Sequence, residues 1–283
     1  MRHISPLRYP GGKAGLAPTL GALFRSNGLN RPTLAEPYAG GAGASLELLF
    51  GEYVRAIAIN DLDYRIFSFW WSILNRTEMF AQRIKSVPLS ILEWHKQREV
   101  YRNARRHKRF DVGFATFYLN RTNRSGILVD GGPIGGIKQR GKWRLSARFN
   151  RAELIRRVER ISAYRERISV SNLDALVFIH QLREKTGGDS LFFYLDPPYY
   201  EKGAELYLSN YAHSDHVAIG AALRSSNLSH WALTYDDVQA IRKIYANCKL
   251  RPFRLRYTAS SFREGRELLI VPKSLLVPDS LPL

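Results

Sequence analysis

The stretch LFFYLDPPYY, Leu191 to Tyr200, decides the fold. Its opening residues, Leu191 to Leu195, predict a fully buried strand. That strand stops at Asp196. Pro197 and Pro198 then end backbone pairing and hold φ near one value, so the turn that follows is stiff. A carboxylate, two carbonyls without neighbouring amide donors and the ring of Tyr199 are thereby fixed at the carboxyl end of a strand. In open α/β sheets ligands bind at that end. Taken alone, the tetrapeptide has a plainer reading: an edge strand stopped by prolines, with a tyrosine that merely packs.

The chemistry favoured by this turn is methylation of an exocyclic amino group. Such a nitrogen is a poor nucleophile because its lone pair is delocalised into the ring. Two acceptors set against its N–H bonds, the Asp196 carboxylate and the Pro197 carbonyl, draw the lone pair out of conjugation and aim it at an electrophilic methyl. The Tyr199 face holds the base by stacking, worth roughly 1–3 kcal/mol. Positioning and aimed dipoles of this kind lower a barrier without a metal.

Upstream, SPLRYPGGKAGLAPTL, Ser5 to Leu20, is a turn entering a helix near Lys13. Gly11 and Gly12 allow close backbone approach, and Lys13 supplies a cation. TLAEPYAGGAGASLELLF, Thr33 to Phe50, predicts a strand ending at Glu36, a turn through Tyr38, Gly40, Gly41 and Gly43, and a helix from Ala44. This is the cradle of doubly wound folds, without the spacing of a dinucleotide fingerprint or the GK[ST] of a phosphate loop. It suits a nucleoside lacking a pyrophosphate. VRAIAINDLD gives the next strand, with Asp61 placed to accept ribose hydroxyls and Asp61 or Asp63 to cap the following helix.

From about residue 67 to 167 the strand–helix alternation stops. The pattern there predicts helices over 63–75, 77–87, 89–106, 111–120 and 151–166, with an irregular glycine-rich segment before the last. Between His95 and Arg167 stand 20 Lys and Arg against 6 Asp and Glu, an imbalance that predicts a docking surface. Within NRTNRSGILVDGGPIGGIKQRGKWRLSARFN, Arg121, Asn123 and Arg124 are candidates for base edges or phosphates, and Lys138, Arg140, Lys142 and Arg144 for the backbone. Trp143 reads equally as a core anchor. The alternation resumes with RISVSNLDAL, where Asp174 either accepts from an adenine amino group or caps the next helix. Residues 200–214 form a tyrosine-rich loop long enough for a lid. Strands near 230–235, 252–258 and 266–272 close the sheet.

The chain of 283 residues is long enough for one α/β domain with a large insert, here bounded as 1–66, 67–166 and 167–283. Its net charge of +18 points to a polyanionic partner, nucleic acid first. No apolar run reaches the roughly 20 residues of a membrane span, and the amino terminus lacks a secretory core. Cys248 is the sole cysteine, which excludes an intrachain disulfide and makes the cytoplasm the default address. No HExxH occurs, and His213 with His216 reads as solvated side chains at a helix start rather than a zinc pair, so no metal is expected.

In order, YPGGK, EPYAGGAG, IND, FYLNRTNRSGI with the later RFN, DPPY, TYDD and ELLI resemble the DNA adenine methyltransferases of the Dam type. The resemblance covers nearly the whole chain. It implies a doubly wound methyltransferase sheet with an inserted helical, basic target-recognition domain. It also implies transfer of a methyl from S-adenosyl-L-methionine to N6 of an adenine flipped out of double-stranded DNA. Tyr9, Lys13, Asp61 and Asp196 would contact the cofactor, with Glu36, Tyr38 and Gly40 shaping its pocket and Asp174 beside it. Asp196, Pro197, Pro198 and Tyr199 would embrace the adenine. Tyr9 stands where many members carry tryptophan, and GGPIGGIKQRGKW departs from the pattern of GATC readers. RNA adenine, cytosine N4 and a non-catalytic nucleic-acid binder remain alternatives. A cognate restriction system as partner stays open, and so does the oligomeric state.

Overall fold

The apolar opening of the deciding stretch forms a strand, Leu191–Leu195, in which every side chain is buried. The computed structural model describes residues 4–8, 12–186, 190–201, 211–225, 228–257 and 263–282. In chain order the strands are β1 (Thr33–Glu36), β2 (Ala56–Asn60), β3 (Ile168–Ser171), β4 (Leu191–Leu195), β5 (Trp231–Asp236), β6 (Lys249–Tyr257) and β7 (Arg263–Val271). They build one sheet of seven strands in the order β3-β2-β1-β4-β5-β7-β6. Strands β1 to β5 are parallel, and β7 runs antiparallel between β5 and β6. The direction of winding reverses between β1 and β4, which opens a crevice at their carboxyl ends. Glu36 and Asp196 stand at that crevice.

The helices are α1 (Ala17–Ser26), α2 (Gly43–Phe50), α3 (Tyr64–Asn75), α4 (Thr77–Ser86), α5 (Ile91–Arg102), α6 (Arg109–Thr122), α7 (Arg151–Ser162), α8 (Ala175–Thr186), α9 (His213–Ser225) and α10 (Gln239–Ile244). Helices α3 to α7 lie between β2 and β3, where the sequence predicts a break in the alternation. Helix α5 is shorter than its predicted 89–106. Ser90 caps it by accepting the Glu93 N–H at 3.1 Å, and Asn103 ends it before a short 3-10 turn.

The sheet is covered on both faces. On one, Phe193, Leu195, Trp231, Leu233 and Ile270 pack with Phe178, Ile219 and Ile241 from α8, α9 and α10. On the other, Leu34, Ile59 and Phe192 belong to the same apolar cluster as Phe69, Phe80, Phe114 and Phe117 from α3, α4 and α6. Phe69 and Phe117 stack with centroids 6.2 Å apart. Helices α3 and α6 meet at Gly113, where a Cβ would sit 2.3 Å from the Ser68 carbonyl oxygen, so only glycine allows this approach. Among the described residues no helix is long and apolar enough to cross a membrane.

Candidate active site

Beyond Glu36 the chain turns through Gly40 and Ala42, both at φ 45°. Glycine accepts that left-handed conformation freely, whereas alanine must be held in it. Two bonds hold the turn. Trp70 Nε1 on α3 donates to the Gly40 carbonyl at 2.9 Å, and the Gly40 N–H donates to Asp61 Oδ2 at 2.9 Å. The 3-10 turn after Lys13 packs against it, with Ala14 Cβ within 3.3 Å of where a Gly43 Cβ would be. Buried Asn60 ties the neighbouring loops together. Its amide donates to the carbonyls of Pro37 and Leu173, and its oxygen accepts from Ser171 and the Leu173 N–H.

Several carboxylates converge on the crevice. Glu36 is buried and accepts from the Ser45 hydroxyl on α2. Burial outweighs that bond and, with Asp196 and Asp61 nearby, pushes its carboxyl up to about 8. Asp61 accepts a second backbone N–H, from Asp63 at 2.9 Å. Burial and the charge of Asp63 still push Asp61 up to about 7. Asp63 is the helix cap, accepting the Arg65 N–H at 2.9 Å, so of the two acids the sequence offered for the cap the structure takes Asp63.

Lys13 bridges the acids across 254 positions of sequence. Its buried Nζ lies 3.2 Å from Asp196 Oδ1 and 3.3 Å from Glu267 Oε2, and it donates to the Tyr199 hydroxyl at 2.8 Å. That hydroxyl donates onward to Glu267 Oε1 at 2.7 Å. Burial pulls the ammonium down, but the two carboxylates outweigh it and hold it raised. Asp196 also accepts from the Thr234 hydroxyl at 2.7 Å. Past the prolines, the Tyr200 and Glu201 N–H groups donate to the Asp236 carboxylate at 2.9 and 3.0 Å, which fixes the far side of the turn. Among the described residues no donor reaches the buried Pro197 carbonyl. One acceptor in the turn therefore stays available beside Asp196.

A family model described as D12 class N6 adenine-specific DNA methyltransferase matches residues 9–258. The chain belongs to that class. Among solved structures it is similar to the rRNA methyltransferase aviRa from Streptomyces viridochromogenes, at 15% identity over 89% of this chain and 81% of that one, with a TM-score of 0.38. No curated protein matches it by sequence.

In this D12-class methyltransferase the remaining expected residues fall in three groups. Tyr38 sits at the crevice, its hydroxyl accepting from Tyr211 at 3.2 Å with the rings edge-on. Asp174 is exposed, and its Oδ1 caps α8 by accepting the Leu176 N–H at 2.9 Å, which is the capping alternative. Tyr9, Gly11 and most of the expected lid (202–210) lie outside the described residues. His213 is exposed at the start of α9, as expected, and bonds the Tyr200 hydroxyl at 2.9 Å, whereas His216 is buried and bonds the Tyr235 hydroxyl at 2.8 Å.

The basic segment needs correction. Asn123 is 1% exposed. Its oxygen accepts from Trp94 Nε1 at 2.7 Å and its amide donates to the Ile127 carbonyl at 2.8 Å, so it shapes a turn, and its burial closes it off from a base edge. Arg121 is also turned inward, donating to the carbonyls of Arg148 and Pro6 at 2.8 and 3.5 Å. Arg124 stays exposed, as do Lys138, Arg140, Lys142 and Arg144. Trp143 is 65% exposed, against the core-anchor reading. The Gln139 side chain pins its loop by donating to the carbonyls of Ile134 and Gly136 and accepting the Leu145 N–H.

Glu267, Thr234 and Asp236 went unassigned at the sequence level. The strings TYDD and ELLI were visible, but an acid inside an apolar strand has no local signal that tells which distant cation it meets.

Proposed function

We propose that this methyltransferase transfers the methyl group of S-adenosyl-L-methionine to N6 of an adenine flipped out of duplex DNA. The observation that carries this reading is the pairing of Asp196 and Glu267 with Lys13, with Glu36 close to Asp196 and Asp61, in a protein of net charge +18. Buried carboxylates that raise one another's proton affinity favour a cationic ligand. S-adenosylmethionine fits that site, because it brings an electrophilic methyl on a positively charged sulfonium. Asp61 would accept its ribose hydroxyls, the Gly40 turn and Tyr38 would shape the adenosine pocket, and Lys13 would hold the Asp196 side chain in place. At the target, Asp196 and the Pro197 carbonyl would take the two N6–H bonds and aim the lone pair. Asp196 or water would receive the released proton. Pro198 stiffens the turn, and the Tyr199 ring, locked through its hydroxyl, would face the base.

The basic loop within α3 to α7 and the segments between them is the proposed target-recognition region, with Arg124 reading a base edge and Lys138, Arg140, Lys142 and Arg144 on phosphates. The test is transfer of labelled methyl to duplex DNA followed by mass spectrometry of the nucleosides. N6-methyladenine is the expected product. Label found in RNA alone or on cytosine N4 would refute the substrate assignment.

Asp61→Ala is expected to weaken S-adenosylmethionine binding about 10- to 150-fold, the equivalent of a charged acceptor worth about 1.5–3 kcal/mol. Because the Asp61 carboxyl is raised to about 7, the ionised acceptor is lost as pH falls through that value. Wild-type affinity should therefore drop between pH 8 and 6, and Asp61→Asn should flatten the dependence. Calorimetry at both pH values decides this. An unchanged dissociation constant in Asp61→Ala would confine Asp61 to holding the Gly40 turn.

Replacing two of Lys138, Arg140, Lys142 and Arg144 by glutamine should flatten the slope of log DNA affinity against log salt by about 1.8. Trp70, Trp94 and Trp231 are buried and Trp71 is half-buried, so the part of the emission that Trp143→Phe removes should report docking of the same loop. A slope equal to wild type, with Trp143 emission unaltered by DNA, would mean that this charge only solubilises the loop.

A further inference from the structure

The segment Ile4 to Arg8 stands a few positions before Lys13 in the chain, and it is clamped by side chains far along the sequence. Ser5 and Leu7 are buried. Asn120, wholly buried on α6, accepts the Arg8 N–H at 2.6 Å and donates to the carbonyls of Arg8 and Gly126 at 2.9 and 3.0 Å. Four arginines then close around this clamp. Arg157 Nη1 donates to the Ser5 carbonyl at 3.1 Å, and Arg121 Nη1 to Pro6 at 3.5 Å. Arg121 Nε reaches the Arg148 carbonyl at 2.8 Å, and Arg8 Nη1 reaches that of Asn123 at 3.3 Å.

These contacts are to neutral carbonyls, and the charges are not balanced. Glu153 pairs with Arg157 at 3.0 Å but is shared with Arg156 at 2.7 Å. Among the described residues no carboxylate forms an ion pair with Arg8, Arg121 or Arg148. Burial first, then Arg8, Arg157 and Arg148, pushes the Arg121 guanidinium down to about 9. Burial and Arg148 lower Arg8 likewise. If the clamp needed only donors for carbonyls, neutral amides would serve without that repulsion. A guanidinium carries five N–H donors in a planar fork that matches a phosphate, and Arg121 spends two of them on the protein.

We infer that Arg8, Arg121, Arg148 and Arg157 form an anion site, distinct from the acidic Asp196 pocket, that takes a backbone phosphate of the DNA and couples this contact to the segment preceding Lys13. The inference rests on the proposed DNA substrate. The duplex is favoured over a free phosphate because the site is continuous with the basic loop. Asn123 belongs to both, and Arg148 follows the exposed run from Lys138 to Arg144. A phosphate here would relieve the mutual repulsion and fix Arg8, which stands five positions before Lys13. Since binding free energies are reciprocal, DNA and cofactor should each tighten the other.

The test uses full-length protein, a fluorescent duplex and S-adenosylhomocysteine, with Arg148→Gln and Arg8→Gln beside wild type. Arg148 is the safer substitution, because its side chain is exposed and only its carbonyl serves the clamp. Each variant should flatten the salt slope by about 0.9, so the affinity lost between 50 and 200 mM salt shrinks about 3.5-fold. Each should also abolish the DNA-dependent gain in S-adenosylhomocysteine affinity. Wild-type slope and coupling in both variants, with circular dichroism unchanged, would overturn the site while leaving DNA methylation standing. Wild-type protein that binds no duplex would instead remove the substrate reading beneath it. Stabilisation by inorganic phosphate that Arg148→Gln abolishes, without change in the DNA slope, would overturn the DNA assignment in favour of a free anion.

Discussion

Asp196→Ala is expected to lower the rate of methyl transfer about 100- to 1000-fold, the range seen when one aimed polar group is removed from a reacting centre. The fold should survive. Asp196 lies partly exposed at the end of β4, whereas the strand before it is buried throughout and hydrogen-bonded on both sides. Non-specific DNA affinity should also survive, because the proposed phosphate contacts lie on the basic loop. Asp196→Asn makes the sharper variant, since it keeps an oxygen for Thr234 while removing the charge opposite Lys13. Tyr199 gives the companion measurement. From sequence its ring alone mattered, so phenylalanine would restore most of the activity lost in Tyr199→Ala. In the structure its hydroxyl joins Lys13 to Glu267, so Tyr199→Phe should remain well below wild type. Substantial N6-methyladenine from Asp196→Ala would end the proposed role. Full activity in Tyr199→Phe would show that stacking suffices.

The second large effect is on stability. Lys13→Met leaves Glu267, which is 1% exposed, facing Asp196 without the ammonium between them. Stranding one partner of a buried ion pair costs about 3–5 kcal/mol. For a chain of this length that is a fall in melting temperature of roughly 5–8 °C, from the usual unfolding entropy per residue. Glu267→Gln should recover part of the loss in the double variant, because the uncompensated charge goes with it. Calorimetric melting of the single and double variants measures this directly. Equal melting of Lys13→Met and wild type would mean that Glu267 is protonated in the folded protein, and Lys13 would then answer to Asp196 alone.

Much of this architecture was readable because its signals are local. An apolar run stopped by two prolines can hardly be other than a buried strand with a stiff end, and a glycine-rich turn between strand and helix announces a cradle. The helices between β2 and β3 followed from their periodicity. What stayed hidden depends on side chains meeting across the fold. Asn120, Arg121 and Asn123 look like surface chemistry in a basic segment, yet Asn120 and Arg121 turn inward onto the carbonyls of Arg8 and Pro6, and Asn123 is buried between Trp94 and the Ile127 carbonyl. Glu267 reads as an ordinary strand residue until Lys13 arrives beside it. From sequence Trp143 is even between surface and core, and its ring stays outside, in a loop pinned by the amide of Gln139.

The shared apolar cluster of the sheet and helices α3 to α6 bears on how such a protein could be re-engineered for a new target. A chimera that swaps the whole segment between β2 and β3 would discard Phe69, Trp70 and Phe117, which pack in the same cluster as Phe192 of β4. It would also discard the indole that holds the Gly40 turn. The exchangeable unit is therefore smaller than the insert. It is the loop hung between α6 and α7, whose ends are fixed by buried Thr122 and by the Asn150 cap of α7. Recombination junctions placed there would move the proposed reading surface and leave the packed sheet and helices α3 to α6 in one piece.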